Sequence, residues 1–421
     1  KLLFIKELLM IKKYLNFKAW GLLQYEIASL VLMLIFLPSF EAPKNLFLAS
    51  YVLLSLTRQF KNSNSLRLEK IDYVFLFLLA TAFLSTIFSG LHGHEWKGFK
   101  SFFTVFIFGW TFVRSEYTKE TVRGIFLCAI LTILPPLFFG LYELLWAKHI
   151  PFLKIHSVGY VNASGLYLMA TASAAMSYLL FFNPKKYQIY QYLCGGLLLV
   201  LFGYSLLVAS SRSAFLAFVI AAVILILFSK IKFKKSLLSL FLILFSLSFL
   251  LNAPVFEKHM QDVKDNNTLA YRDKLWNVSL EAARSFSHKF GIGIDNYGFA
   301  DEVFVKRSVE SRGETYNPKN YFYVNLTHNV YLSYLVERGF LGLISLIALM
   351  IFWANGLLAN IKRLGRDSHH DYLWGGSLSA FLSVYVVGFV HVTLVHEPGI
   401  LALFFFGLYH MYTKLYVNKK A

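Results

Sequence analysis

The stretch LTHNVYLSYLVERGFLGL, residues 326–343, marks a change from a polar segment to an apolar helix pattern. It opens with the polar pair His328–Asn329 and continues with apolar residues at helical spacing, which is typical of a loop that re-enters a membrane. The whole chain agrees, since 57% of its 421 residues are hydrophobic, 15% are charged and the mean hydropathy is +0.56. Soluble globular proteins carry about a quarter charged residues. The sequence therefore predicts an all-α polytopic membrane protein.

Apolar runs of about 20 residues, long enough to cross a bilayer, recur along the chain. We predict about twelve transmembrane helices, the fifth of which contains Pro135–Pro136. Spans one to nine fall within residues 1–252, one large outer loop occupies 253–329, and spans ten to twelve fall within 330–421. The predicted spans are 20–37, 44–57, 71–91, 98–113, 121–146, 162–182, 187–209, 213–229, 236–252, 330–353, 372–394 and 397–417.

The distribution of positive charge predicts the orientation in the membrane. The formal net charge is +18, with 24 Lys and Arg residues in one alternating set of termini and short loops and six in the other. An excess of Lys and Arg marks cytoplasmic loops, so both termini are predicted to be cytoplasmic. The large loop, with ten basic and ten acidic residues, is then periplasmic. Topology and attraction to anionic lipid explain the high pI, which argues against a nucleic-acid partner.

The large outer loop contains three recognisable segments. ESRGETYNPKN (310–320) is a polar loop, and GIGIDNYGF (291–299) is glycine-rich turn material. TLAYRDKLWNVSLEAARSF (268–286) suits an amphipathic helix, whose predicted apolar face consists of Leu269, Leu275, Trp276, Leu280 and Ala283. The loop is too short for a large core of its own, so we expect it to pack on the outer mouth of the bundle.

Two arginines are candidates for binding an anionic group. Arg212 lies among serines in VASSRSAFLAF, in a short outer turn before the eighth span, although an interfacial arginine is also a common structural feature. Arg272 lies in YRDKLW of the outer loop, where a solvent-exposed helix face is the simpler interpretation. Both remain candidates because guanidinium groups form bidentate hydrogen bonds with phosphate oxygens.

The stretch at 326–343 supplies a candidate base. His328 precedes Asn329, a suitable N-cap for the tenth span, and Gly339 and Gly342 follow at a spacing that would let another helix approach closely. A histidine at such a boundary often only packs or caps. A neutral imidazole that faces a polar space is also the usual general base near neutral pH.

Several other polar residues rank below these three. Glu26 lies within a predicted span, where an acid is a functional candidate by default. The sequence leaves open whether further residues line the site with His328, namely Arg307, Arg312, His391, His396 and Glu397. Motifs of other enzyme classes, such as Asp-x-Asp, the Walker-type loop, Cys-x-x-Cys and His-Glu-x-x-His, do not occur in the sequence. We therefore predict no metal and no cofactor.

Taken together, these motifs resemble the O-antigen ligase family, which also holds O-antigen polymerases and O-linked oligosaccharyltransferases. The resemblance rests on Arg212 in SSRSA, on Arg272 in YRDKL, and on His328–Asn329 followed after nine residues by Gly339-x-x-Gly342. It extends to the twelve spans and the long loop before the tenth. One departure concerns Leu343–Ile344, where ligases often have two threonines.

The resemblance implies a GT-C-like glycosyltransferase of the bacterial inner membrane with a periplasmic active site. The donor would be an O-antigen polysaccharide on undecaprenyl pyrophosphate, and the acceptor would be the lipid A–core oligosaccharide. Arg212 and Arg272 would bind the pyrophosphate without a metal, and His328 would act as general base in an inverting displacement. Asn329, Gly339 and Gly342 would support the site.

Three functions stay open at this point. The first is the ligase. The second is a relative with the same chemistry and another acceptor, either an O-antigen polymerase or an O-linked oligosaccharyltransferase. The third, from another class, is a transporter or flippase of lipid-linked sugars, which would need ionisable groups near the middle of the membrane. The candidate residues lie instead at the predicted outer side.

Overall fold

The computed structural model contains helices and no strands within the part of the chain that it describes. This agrees with the predicted all-α class. The described residues are 21–61, 67–89, 93–147, 152–155, 158, 161–182, 188–230, 234–235, 239, 271–285, 289–364 and 370–417.

Most of the helices overlap predicted apolar runs, and two further helices, which begin at Arg272 and Glu302, lie in the predicted outer loop. The helices are α1 (Leu22–Phe36), α2 (Glu41–Lys61), α3 (Lys70–Phe88), α4 (Glu95–Val113), α5 (Lys119–Leu131), α6 (Leu134–Tyr142), α7 (Val161–Phe181), α8 (Gln188–Val208), α9 (Arg212–Phe228), α10 (Arg272–Ser285), α11 (Glu302–Glu310), α12 (Val330–Asn360), α13 (Asp371–Phe381) and α14 (His396–Tyr412).

Six helical stretches of the described chain are long and apolar enough to cross a membrane, and three shorter helices are also apolar. The long stretches begin at Lys70, Lys119, Val161, Val330, Asp371 and His396. The polytopic membrane class is thus supported, whereas the count of twelve spans and the outer position of the long loop stay predictions. The ninth predicted span, 236–252, lies outside the described residues.

Proline chemistry explains why the fifth predicted span consists of two helices. Helix α5 ends at Leu131 and α6 begins at Leu134, with Pro135 and Pro136 in its first turn. Proline lacks the N–H that a continuous helix would use, but it is well tolerated in the first turn of a new one.

Helix α7 is the central helix of the bundle and is buried along most of its length. Small residues allow its neighbours to approach closely. A Cβ on Gly165 would lie 2.5 Å from the Cβ of Ser211, and a Cβ on Gly375 of α13 would lie 2.0 Å from Ser177 Oγ. The contact at Gly165 fixes the start of α9 against α7, and Arg212 is the first residue of α9.

Glu26, the intramembrane acid of α1, belongs to a hydrogen-bonded network. Arg58 Nη2 donates to the Glu26 carboxylate at 3.0 Å, and the Tyr117 hydroxyl donates at 2.7 Å. A buried charge with these partners is accounted for as a structural ion pair. It therefore adds no support to the transporter hypothesis.

The outer segment, which is the described part of the predicted outer loop (271–285 and 289–329), has a small hydrophobic cluster that includes a residue of α12. Val278 and Ala282 of α10 pack with Ile292, Val305 and Val336, the last of which lies on α12. The predicted helix in this segment is confirmed as α10. Its predicted apolar face is partly wrong, because Leu280 is 40% exposed while Val278 and Ala282 are buried. Leu269 lies outside the described residues.

Candidate active site

Arg212 begins α9 directly after a tight turn from α8. The turn contains Ser210, whose φ of 53° lies in the left-handed region, and Ser211, the N-cap residue of α9. The Ser211 hydroxyl is 3.4 Å from Asn162 Oδ1 at the start of α7. The side chain of Arg212 thus lies beside the N-terminus of α9, where backbone N–H groups and the helix dipole favour anions.

Arg272 begins α10 in a similar way. The residue before it, Tyr271, has a φ of 60°, and its carbonyl accepts the first helical hydrogen bond from Leu275 N at 3.0 Å. The Asn277 side chain on α10 donates to Asn320 O at 3.0 Å and so fixes the helix to the polar loop. These contacts fix the backbone position from which the Arg272 side chain extends.

His328 immediately precedes the N-cap of α12 and has a φ of 47°. Asn329 Oδ1 accepts hydrogen bonds from Tyr331 N at 2.9 Å and Leu332 N at 3.0 Å, which confirms Asn329 as the N-cap. The Thr327 hydroxyl donates to Asn329 O at 2.9 Å. These bonds hold the backbone on both sides of His328.

The three candidate residues, remote along the chain, are linked by two electrostatic interactions, one between Arg212 and Arg272 and one between Arg272 and His328. Burial, and after it the positive charge of Arg272, lower the pKa of His328. Burial, and after it the charge of Arg212, lower the pKa of Arg272. Arg272 therefore lies within electrostatic range of both Arg212 and His328, and we treat the three residues as one candidate cluster. Two guanidinium groups in one site suit a doubly charged anion, and the imidazole beside them stays neutral at neutral pH.

Left-handed backbone concentrates at this cluster. Among the described non-glycine residues, φ is positive at five, of which Ser210, Tyr271 and His328 lie at or within two residues of the three candidates. Such a conformation costs a non-glycine residue about 1–3 kcal/mol, and it persists where the surrounding structure enforces it. Strained backbone of this kind clusters at functional sites, which supports the choice of site.

Helix α12 is broken at Gly339, where φ is 68° and ψ is −170°. The break frees two carbonyl groups, and the glycine-rich turn of the outer segment binds both. Ile292 N donates to Val336 O at 2.9 Å, and Gly293 N donates to Glu337 O at 3.0 Å. A Cβ on Gly339 would lie 2.4 Å from the backbone of Lys289. The prediction that this glycine admits another helix is thus wrong, since it admits the backbone of the outer segment.

Gly342 faces a side chain of its own helix, whereas Gly339 faces the backbone of the outer segment. A Cβ there would lie 2.3 Å from the Cβ of Arg338, so glycine leaves room for the arginine side chain within α12. Arg338 is buried, and its guanidinium carbon lies 4.2 Å from the ring centre of Phe102 and 3.8 Å from that of Tyr334. Desolvated contacts between a cation and aromatic rings stabilise such an arrangement.

The structure also decides among the lower-ranked residues. Glu397 forms a buried ion pair with Lys44. Arg312 pairs with Glu281 at 2.8 Å within the outer segment. Arg307 is exposed, and His396 is the first residue of α14 with a φ of 48°. Of these five residues, His391 lies next to His328, with 5.8 Å between the two ring centres.

Two contacts of the site could not be predicted from the sequence. The turn at 291–293 was recognised as glycine-rich, but its docking on the broken helix depends on distant backbone atoms that no local pattern reveals. The pairing of His391 with His328 likewise joins two loops that are far apart in sequence. A histidine at an outer turn was the only available signal for it.

Within the described ranges, no group of three His, Cys, Asp or Glu side chains is placed to hold a metal ion. The cations that these residues bring to the site are guanidinium groups.

Comparison with known proteins supports the resemblance seen in the motifs. Residues 197–347 match the family model described as O-antigen ligase. This region runs from α8 through the outer segment to α12 and includes all three residues of the cluster as well as Gly339 and Gly342. No curated protein matches the chain. Members of the family are ligase- or polymerase-type enzymes that act as glycosyltransferases. The match over residues 197–347 therefore supports the resemblance of the chain to the O-antigen ligase family.

Proposed function

We propose that the protein is an O-antigen ligase. It transfers O-antigen polysaccharide from undecaprenyl pyrophosphate to the lipid A–core oligosaccharide at the periplasmic face of the bacterial inner membrane. The observation that supports the proposal is that Arg272 interacts electrostatically with both Arg212 and His328, within the region that matches the O-antigen ligase family model. Both termini lie on the cytoplasmic side in this proposal, in keeping with the Lys and Arg distribution.

Arg212 and Arg272 bind the donor pyrophosphate. A polyprenyl donor places its pyrophosphate at the membrane interface, and guanidinium groups bind phosphate oxygens in bidentate fashion. As the glycosidic C–O bond breaks, negative charge grows on the departing oxygen. Two fixed cations stabilise that charge more in the transition state than in the ground state. Pyrophosphate is already a good leaving group, so these cations replace the general acid that inverting glycosidases need.

His328 is the general base. The acceptor hydroxyl oxygen attacks the anomeric carbon, the bond from that carbon to the pyrophosphate oxygen breaks, and the hydroxyl proton passes to the imidazole. A single displacement of this kind inverts the anomeric configuration. Burial and Arg272 lower the pKa of His328, so the imidazole is uncharged at neutral pH and has a lone pair for the proton.

A deletion strain of the source bacterium tests the choice of acceptor. Loss of a ligase leaves long polymer on the lipid carrier and unsubstituted core, and the proposal predicts this result. Loss of a polymerase leaves core that bears a single repeat, which would favour the second candidate. Unchanged core that still carries full-length polymer, with underglycosylated protein, would favour an O-linked oligosaccharyltransferase.

Reconstitution in liposomes tests the reaction class. With donor and acceptor lipids in the same leaflet, an enzyme joins the sugar to the acceptor lipid. A flippase moves the donor across the bilayer and forms no new glycosidic bond. The proposal predicts transfer that depends on His328.

A further inference from the structure

His391 lies directly beside the proposed base. The two ring centres are 5.8 Å apart, and the ring planes are inclined by only 28°, so the imidazoles are stacked. The Nδ1 atoms of both rings are buried and have no hydrogen-bond partner within the described part of the chain. His391 is partly buried and lies in the loop between α13 and α14.

The helical turns at 382–389, which continue α13 and end two residues before His391, are attached to the start of α12 by several contacts. The Asn329 side chain, while its oxygen caps α12, donates through Nδ2 to Phe389 O at 3.1 Å. The Tyr331 hydroxyl donates to Tyr385 O at 2.8 Å, and the rings of Tyr331 and Phe389 are 4.7 Å apart. One residue, Asn329, thus fixes the backbone of both imidazoles.

The chain just after His391 is hydrogen-bonded back to these helical turns, and the turns pack closely on α12. The Thr393 hydroxyl donates to Val384 O at 2.8 Å, two residues after His391. A Cβ on Gly388 would lie 2.6 Å from Val330 Cγ1 at the start of α12. This construction sets the position of the His391 ring relative to His328.

The charged and titratable groups that act on His391 come from two other elements. They are His328 before α12 and Arg272 at the start of α10. Burial, and after it these two groups, lower the pKa of His391 to about 3. A ring with such a pKa is uncharged at neutral pH. His391 thus adds no positive charge beside the base.

We propose that His391 is a positioning residue for His328, whose ring fixes the plane of the base and keeps water away from it. The charge that acts on His328 is the positive charge of Arg272, in contrast to the carboxylate that orients the base in serine-protease triads. A neutral aromatic ring orients such a base by packing. This inference rests on the proposed function, since it gives His328 the role of base.

The test compares His391→Ala with His391→Phe in the full-length protein reconstituted with a polyprenyl-pyrophosphate glycan donor and lipid A–core acceptor. Removing the ring releases His328 and admits water, so His391→Ala lowers kcat about 10- to 100-fold with little change in KM. Hydration also returns the pKa of His328 toward its ordinary value, so the acid limb of the kcat/KM profile moves to higher pH.

His391→Phe keeps a flat ring without its nitrogens and serves as the rescue. We expect its kcat within about threefold of the wild type, because a ring of similar shape preserves the packing, and we expect an unshifted acid limb. His94→Ala is the control, because His94 is an exposed histidine outside the site, and its kinetics are expected to match the wild type.

Three outcomes would overturn the inference. One is His391→Ala with wild-type kinetics. Another is a lower kcat with an unshifted acid limb. The third is His391→Phe that folds yet is as inactive as the alanine variant, which would assign binding or proton transfer to the ring nitrogens. Failure of the proposed function looks different, because the wild type would then form no product or His328→Ala would retain transfer.

Discussion

Replacing Gly339 by alanine tests how the outer segment is attached to the membrane helices. Gly339 has a φ of 68° and a ψ of −170°, and alanine holds this conformation only under strain. The added Cβ would also lie 2.4 Å from both the carbonyl carbon and the carbonyl oxygen of Lys289. These are backbone atoms, so no side-chain rotation relieves the contact.

The size of the effect follows from the two ways in which the protein can respond. If the backbone keeps its course, the strain at residue 339 costs about 1–3 kcal/mol before the close contact is considered. If the outer segment lifts away, the hydrogen bonds of Ile292 N and Gly293 N to α12 are lost. Each contributes about 1 kcal/mol. Either response destabilises the docked state by at least about 2 kcal/mol, which is a factor of about 30 in its equilibrium population.

The functional consequence follows because the outer segment carries Arg272. Undocking at 289–293 moves α10 relative to α12 and so separates Arg272 from His328. We expect Gly339→Ala to lower glycan transfer at least about 10-fold. Hydrogen exchange at the amides of Ile292 and Gly293 should quicken by about the factor estimated for docking.

Gly356→Ala is the matched control on the same helix. No atom of another residue lies within 4 Å of a Cβ built there, apart from chain neighbours and the backbone of the same helix turn. Alanine at an interior helix position is expected to be neutral or stabilising by about 0.5–1 kcal/mol. If Gly339→Ala showed the exchange rates and activity of Gly356→Ala, the broken helix would have no part in positioning the site.

Further predictions concern the cap, the buried ion pair and pH. Asn329→Ala should lower stability by about 1 kcal/mol, measured as the unfolding midpoint in detergent. Asn329→Asp keeps the cap but loses the donor to Phe389 O, so transfer should fall while the midpoint stays near that of the wild type. Lys44→Met leaves Glu397 buried without its cation and should destabilise the protein by about 3–5 kcal/mol, whereas an unchanged midpoint would contradict the pairing. The acid limb of kcat/KM should lie below the ordinary histidine pKa of about 6.5, because the lowered pKa keeps His328 uncharged further into acid. A limb above that value would refute this assignment.

Many of the helices could be predicted because continuous apolar runs identify membrane helices in a sequence. Predicted spans 162–182 and 213–229 correspond to α7 and α9 within one residue at each end. The cap at Asn329 was predictable because capping is local chemistry. The exposed Leu280 was not, because α10 buries the face that meets Val336 rather than the face that its own spacing favours.

Candidate site residues could be named from the sequence, whereas the contacts that surround them could not. Arg212, Arg272 and His328 were candidates because their side chains can bind phosphate or accept a proton. Gly339 and Gly342 are alike in sequence, yet one admits the backbone of the outer segment and the other makes room for Arg338. That difference arises from a break in α12 that depends on contacts with residues 289–293. Tertiary contacts of this kind leave no periodic signal in the chain.

Donor binding and transfer by purified His328→Ala protein, measured side by side, test the central claim most directly. Arg212 and Arg272 are intact in this variant, so it should bind the undecaprenyl-pyrophosphate glycan about as tightly as the wild type. Without a base it should transfer at least about 100-fold more slowly. Undiminished transfer would contradict the role of His328, and loss of binding together with transfer would show that the imidazole serves the donor rather than the acceptor hydroxyl.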